Sequence, residues 1–156
     1  MVSVLRNSWY YKDAIFTSDD IGDNYGFVYL ITDLTNDKMY LGKKFFWSKR
    51  RLPPLKGKKN KRNKIVESDW MNYYGSSDEV KQLVEESGKE RFKREILVLC
   101  KSKGECSYWE AKLQFEYDVL LKDEYYNEFI GCKIHSAHVK KLKDNYDSNG
   151  SENSSR

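Results

Sequence analysis

A chain of 156 residues, 39% hydrophobic with seven Phe, four Trp and twelve Tyr, has the large apolar side chains for one core and no Pro/Gly/Ser-rich linker to split it. Its three cysteines, Cys100, Cys106 and Cys132, make neither an even set nor a C-x-x-C pair, no basic-then-apolar leader opens the chain, and no apolar run nears the ~20 residues of a bilayer crossing. These features argue against a disulfide-stapled, exported or membrane protein, and for a soluble, cytoplasmic one.

Net charge is only +4, yet residues 43–64 hold eleven Lys or Arg and no Asp or Glu. A polyanion such as nucleic acid would neutralise that cluster and release counterions. A solvated basic loop that only aids solubility is the alternative.

Past a polar start with aromatics at Trp9, Tyr10 and Tyr11, residues 27–32 are β-branched or aromatic and read as a strand. Turn formers occupy 33–37, and 38–42 resume the extended pattern, so the two runs predict a hairpin. If Tyr29 and Tyr40 lie directly opposite across it, both phenols leave one face of the sheet. Phe45, Phe46 and Trp47 among cations suit a short helix over 43–51, ended by Pro53 and Pro54, with the basic stretch beyond as loop. Ser77, followed by Asp78, Glu79 and the apolar Val80, Leu83 and Val84, predicts a capped helix ending near Gly88. Residues 92–100 end in an apolar run of strand length, broken at Lys103 and Gly104. The longest helix is expected over about 105–122, where Trp109, Leu113, Tyr117, Leu120 and Leu121 recur as one buried stripe. Beyond Lys140 the chain is polar and expected to be disordered. This order predicts an α+β fold, with a small three-stranded, mostly antiparallel sheet flanked by helices.

The run Gly26-Phe-Val-Tyr29, followed at hairpin distance by Tyr40-Leu-Gly42, resembles the signature of the GIY-YIG nucleases, with Phe27, Val28 and Leu41 replacing name-giving Gly and Ile residues. The two tyrosines stand eleven residues apart, Lys43 follows directly, and Arg50 comes ten residues after Tyr40. Ser107-Tyr-Trp-Glu110 and Tyr125-Tyr-Asn127 match the family's helix glutamate and later asparagine, so the resemblance spans about residues 25–135. The segment from Trp70 through Tyr73-Tyr74-Gly-Ser-Ser77 looks like the freestanding Seg-type homing endonucleases of bacteriophages. Family members often carry a histidine beside the arginine or on the first helix; here only His135 and His138 exist, which leaves Tyr40 as the preferred base. The resemblance implies an N-terminal extension over 1–24, a nuclease domain over 25–138 with a basic insertion at 43–64, and a polar tail over 139–156.

It also implies a metal-dependent endonuclease acting on DNA, expected to be double-stranded, in a phage-infected bacterial cell. Glu110 offers a hard oxygen ligand, and Mg2+ (or Mn2+) binds through one or two carboxylates while keeping waters. Tyr40 needs neighbouring positive charge from Lys43, Arg50 and the metal to become a base. Tyr29 is expected to hold water or phosphate, Arg50 to bind phosphate with Arg51 as backup, and Asn127 to position Glu110 or the phosphate. Lys44, Lys49, Arg51, Lys56, Lys58, Lys59, Lys61, Arg62 and Lys64, with Trp70, Tyr73 and Tyr74, are the expected DNA contacts. Glu116 is a rival metal ligand, and His135 with His138 lack a third ligand. A monomer would nick; a homodimer would cut both strands. Competing readings are a non-catalytic nucleic-acid-binding module and a restriction or repair nuclease of the same type.

Overall fold

The computed structural model describes residues 7–153, with side chains as far as residue 146. Residues 1–6 of the expected extension and 154–156 of the expected tail lie outside the described part. The predicted hairpin forms as β3 (Gly26–Asp33) and β4 (Met39–Phe45), joined through Asp37 in the left-handed region at φ 61°. Asp33 fixes the turn by accepting hydrogen bonds from the Thr35 backbone and hydroxyl at 3.0 and 2.7 Å. The third predicted strand forms as β7 (Phe92–Cys100) and pairs antiparallel with β3, with Leu97 bulging out where the register shifts.

The sheet has five strands rather than three, and it is mixed. β1 (Trp9–Tyr11) runs parallel to β7, and β2 (Ala14–Phe16) pairs antiparallel with β1, giving the order β2-β1-β7-β3-β4. These three-residue strands are too short to show an alternation, and their two-residue turn uses Lys12 and Asp13 at φ 50° and 65° instead of an Asn-Gly signal.

Residues 43–51 are not helical. β4 runs on through Phe45, and β5 (Trp47–Leu52) pairs with β6 (Arg62–Glu67) as a separate two-stranded ribbon, so only the tip of the basic stretch is loop. Helical spacing among Phe45, Phe46 and Trp47 is absent: they sit where the chain turns from one sheet into the other, with Phe46 fully buried.

Alternation along β3 divides the core in two. Phe27, Tyr29 and Ile31 point to one face, covered by Trp9, Phe46, Trp70, Tyr74 and, from helix α1 (Asp78–Ser87), Val80. The rings of Trp9 and Phe27, Phe27 and Phe46, and Phe46 and Trp70 pack 4.9–5.0 Å apart, each such pair contributing roughly 0.5–1.5 kcal/mol beyond its area. Val28 and Leu30 point to the other face, covered by helix α2 (Lys103–Glu116) through Cys106, Trp109 and Leu113.

α1 begins and ends as expected, with the Ser77 hydroxyl accepting from the Val80 N–H at 3.3 Å and Gly88 closing it at φ 86°. α2 stops earlier than expected, at Glu116. Asp118 takes the left-handed conformation there at φ 53°, its N–H donates to Phe115 O and that of Val119 to Gln114 O, which is a Schellman closure without glycine. The expected stripe therefore breaks: Val119 is buried while Tyr117, Leu120 and Leu121 are exposed. Residues 140–153, expected to be disordered, form helix α3 (Lys140–Asn153), with Leu142 half-buried near Tyr108 and Trp109 of α2. No helix among the described residues is long and apolar enough to cross a membrane.

Candidate active site

β4 ends the sheet, so its outer edge has no strand beside it. The backbone groups on that edge are nonetheless satisfied in turn, as a partly buried backbone requires. The Met39 N–H donates to Glu124 O and the Tyr126 N–H to Met39 O, each at 2.7 Å. Leu41 is held by one amide side chain at both its polar atoms: its N–H donates to Asn127 Oδ1 at 3.0 Å, and Asn127 Nδ2 donates to its carbonyl at 2.8 Å. Gln114 Nε2 donates to the same carbonyl at 3.0 Å. Next along the edge, the Glu110 carboxylate lies beside the Lys43 backbone N–H.

Ser107, Glu110 and Gln114 share one face of α2, because they are three and four residues apart. That face lies along the β4 edge. Lys43 Nζ is 3.3 Å from Glu110 Oε1 and 3.2 Å from Ser107 Oγ. Burial pushes the Glu110 carboxyl above its ordinary value, and the Lys43 charge and hydrogen bonds only partly offset it.

Tyr40 reaches the same edge from the opposite face of the sheet. Tyr29 pairs with Gly42 and Tyr40 with Ile31, so the two tyrosines are diagonal neighbours on one face, not directly opposed, with ring centroids 6.2 Å apart. Gly42 makes this possible: a Cβ there would stand 2.5 Å from Tyr29 Oη and 3.1 Å from Tyr40 Cε1. Tyr29 is fully buried beneath Tyr40, with no well-formed hydrogen bond to its hydroxyl, and burial raises it well above the usual tyrosine value. The Tyr40 hydroxyl lies 2.6 Å from Ser76 Oγ, in a loop that passes behind the ring through Gly75 at φ 92°. Burial also raises Tyr40, the Ser76 hydrogen bond partly opposing it. Arg94 anchors that loop, donating to the carbonyls of Met71 and Tyr73 at 2.9 Å while stacked between Trp9 and Tyr74.

Around this edge lies a cleft of about 420 Å³ lined by Tyr40, Lys43, Ser76, Glu110, Gln114 and Asn127, together with Asp78, Glu79 and Glu128. Four carboxylates thus face one lysine. Among the described residues no three His, Cys, Asp or Glu side chains converge closely enough to hold a metal by themselves. A hard cation in the cleft would take Glu110 as its carboxylate ligand, with positions left for water and a substrate oxygen.

The family model described as "Putative endonuclease segE, GIY-YIG domain" matches residues 9–130. The chain belongs to this Seg-type GIY-YIG family. No curated protein and no solved structure matches it. The match begins at Trp9, so it takes in the β1–β2 hairpin that the motif-level resemblance left outside.

Of the family-motif residues, Tyr40, Lys43, Glu110 and Asn127 come together in the cleft, and Tyr29 supports them from below. Arg50 does not join them. It is exposed on β5, paired with Lys64, and Arg51 pairs with Asn63 on the other face of the ribbon. In the metal-free chain, burial raises Tyr40 above its ordinary value. Lys49, Lys56, Lys58, Lys59, Lys61, Arg62 and Lys64 are exposed along the ribbon and its tip.

Trp70 and Tyr74 are core residues and cannot stack on bases: Trp70 is fully buried, accepting at its carbonyl from Trp9 Nε1, and Tyr74 is buried against Arg94. Tyr73 is half-buried against Tyr29, under the Lys44 ammonium, which also pairs with Asp69 at 2.7 Å. Glu116 pairs with Lys112 at 3.8 Å on the exposed side of α2, away from the cleft. His135 and His138 cap a short turn, their Nδ1 atoms accepting from the Ala137 and His135 N–H groups. Ser76, Ser107 and Gln114 were missed. The last two carried a signal, their spacing from Glu110 on a predicted helix; Ser76 carried only its place in the Trp70–Ser77 segment.

Proposed function

We propose that this Seg-type GIY-YIG protein is a metal-dependent DNA endonuclease, and that it hydrolyses a phosphodiester in the cleft at the β4 edge. One observation carries the reading: Tyr40, Lys43 and Glu110, drawn from two faces of the sheet and a helix, converge on one polar cleft. The surplus of carboxylates there would repel a phosphate, so the reading requires a cation. Mg2+ (or Mn2+) at Glu110 would supply charge neutralisation at phosphorus and a water of lowered pKa. Lys43 donates to a phosphate oxygen when it leaves Glu110. Tyr40, kept a neutral phenol by burial, orients the attacking water through its hydroxyl instead of acting as a standing phenolate. Asn127 and Gln114 act as positioning residues by fixing Leu41, and Tyr29 as a buttress beneath the Tyr40 ring.

Exposed lysines and arginines of the ribbon and its tip attract the DNA backbone electrostatically. The single cleft suits nicking by a monomer, with a homodimer needed to cut both strands. The biological role we propose for the protein is homing or host-directed, in a bacteriophage setting. The test is supercoiled plasmid with and without Mg2+, using wild type, Glu110→Gln, Glu110→Ala and Tyr40→Phe. Wild type should yield open-circular or linear DNA only with the metal, and the variants should lose at least about 100-fold in rate. Wild-type cleavage retained in EDTA, or full activity in both Glu110 variants, would refute the mechanism.

A further inference from the structure

Among the described residues, the β5–β6 ribbon pairs with no other strand. Isolated two-stranded hairpins are marginal in water, and this one has no helix or second sheet over it along Lys49–Arg51 or Arg62–Ile65. Its root is nevertheless fixed. The Ser68 N–H and hydroxyl donate to Phe46 O and Phe45 O, and Glu67 accepts from Trp70 Nε1 at 2.7 Å and from Ser18 Oγ at 2.5 Å. Between residues 47 and 67 there are nine Lys or Arg, and the lone acid is Glu67 at that root. Six residue pairs at ~3.4 Å each make an arm roughly 20 Å long, with strands about 4.8 Å apart. The major groove of B-form DNA, about 12 Å wide, admits such a ribbon.

The register makes the two faces of the arm chemically different. Arg51 lies directly opposite Asn63, and Ile65 follows on the same face, 64% exposed among cations. Arginine matches the guanine edge, asparagine the adenine edge and an aliphatic group the thymine methyl. The other face presents Arg50 beside Lys64, then Arg62, which offer charge to phosphates. We infer that the β5–β6 ribbon is a sequence-reading arm that lies in the DNA major groove with its Arg51–Asn63–Ile65 face on the base edges and its Arg50–Lys64–Arg62 face toward the backbone. This rests on the proposal above that duplex DNA is the substrate.

The test uses the full chain in EDTA and selects binders from a pool of duplexes carrying a randomised central segment. Wild type should enrich a motif. Arg51→Ala/Asn63→Ala should lose base preference at two or more positions while keeping affinity within about tenfold. Arg50→Ala/Lys64→Ala should keep the motif, bind more weakly, and lower the slope of log affinity against log salt by about two. All four positions are exposed, so melting temperatures should not move. No enriched motif, a motif unchanged in Arg51→Ala/Asn63→Ala, or equal competition by an A-form RNA duplex, whose deep narrow groove excludes a ribbon, would overturn the inference. Ribbon-dependent selection by a protein that never nicks plasmid would sink the nuclease reading alone. Nicking with selection indifferent to both pairs of substitutions would sink the arm alone.

Discussion

Gly42→Ala adds a single methyl group at the point where the two tyrosine rings cross. That carbon would sit 2.5 Å from Tyr29 Oη, 2.8 Å from Tyr29 Cζ and 3.1 Å from Tyr40 Cε1. The first two are closer than a Cβ tolerates, the third asks the Tyr40 ring to give by a few tenths of an ångström, and Tyr29 is fully buried, so it cannot swing away. Overpacking of this kind costs about 1–3 kcal/mol, offset in part by the roughly 0.5–1 kcal/mol that alanine gains over glycine within a strand. A net loss of about 1–2 kcal/mol should lower the melting temperature of a chain this size by roughly 3–6 °C. The effect on cleavage should be larger, because moving the Tyr40 ring breaks its 2.6 Å contact with Ser76; a displacement near 1 Å corresponds to about 100-fold in rate. Plasmid nicking at 25 °C, where the variant stays folded, separates the two effects. Tyr29→Phe removes the nearest clash, so Gly42→Ala/Tyr29→Phe should recover part of the melting temperature, giving a coupling measurable by a double-mutant cycle. Gly131→Ala, whose added carbon meets nothing closer than 3.6 Å, is the control for melting, which it should not change. Wild-type melting and nicking in Gly42→Ala would refute the stacked arrangement of the tyrosines.

Three further outcomes follow from the charges and hydrogen bonds described. Glu110 is raised by burial, so its bound proton favours the folded state below the ordinary value of 4.5 and that contribution is lost as pH rises; Glu110→Gln should gain stability relative to wild type between pH 4 and 7 while losing activity, read by urea melts at both pH values. Asp33 is opposed by burial but held well below its ordinary 3.8 by hydrogen bonds from Arg91, Tyr126 and Thr35, so its contribution is present above pH 3.8 and lost as pH falls. Asp33→Ala should therefore cost about 3–5 kcal/mol at pH 7, with the gap to wild type narrowing below pH 4. Ser76→Ala should leave melting unchanged and slow nicking about tenfold, since it removes only the partner of the Tyr40 hydroxyl.

The parts of the fold readable from the chain were those with local signals: the β-branched and aromatic run of β3, the Ser77 cap and Gly88 stop of α1, and the apolar run of β7. The misreadings share a cause, which is reliance on composition where tertiary contacts decide. Trp70 and Tyr74 sit among polar residues yet fill the core because Trp9 and Arg94 meet them from distant strands. Arg50 stands at a suggestive distance from Tyr40 in the chain, but the turn at Phe46 sends it into a different sheet. Tyr40, Lys43, Glu110 and Asn127 were recognisable by resemblance. Their arrangement was not, because it depends on α2 and residues 124–127, both far downstream in the chain, folding back against one strand edge.

An exposed terminal strand is a template on which another copy can add its own backbone. Here the template is closed off by a borrowed peptide at Met39, a carboxamide at Leu41 and a carboxylate at Lys43. The groups that shape the cleft therefore also guard against self-assembly. Shortening the chain ahead of Tyr125 would uncover the template, and the expected result is concentration-dependent fibre formation, seen as thioflavin fluorescence that wild type does not show.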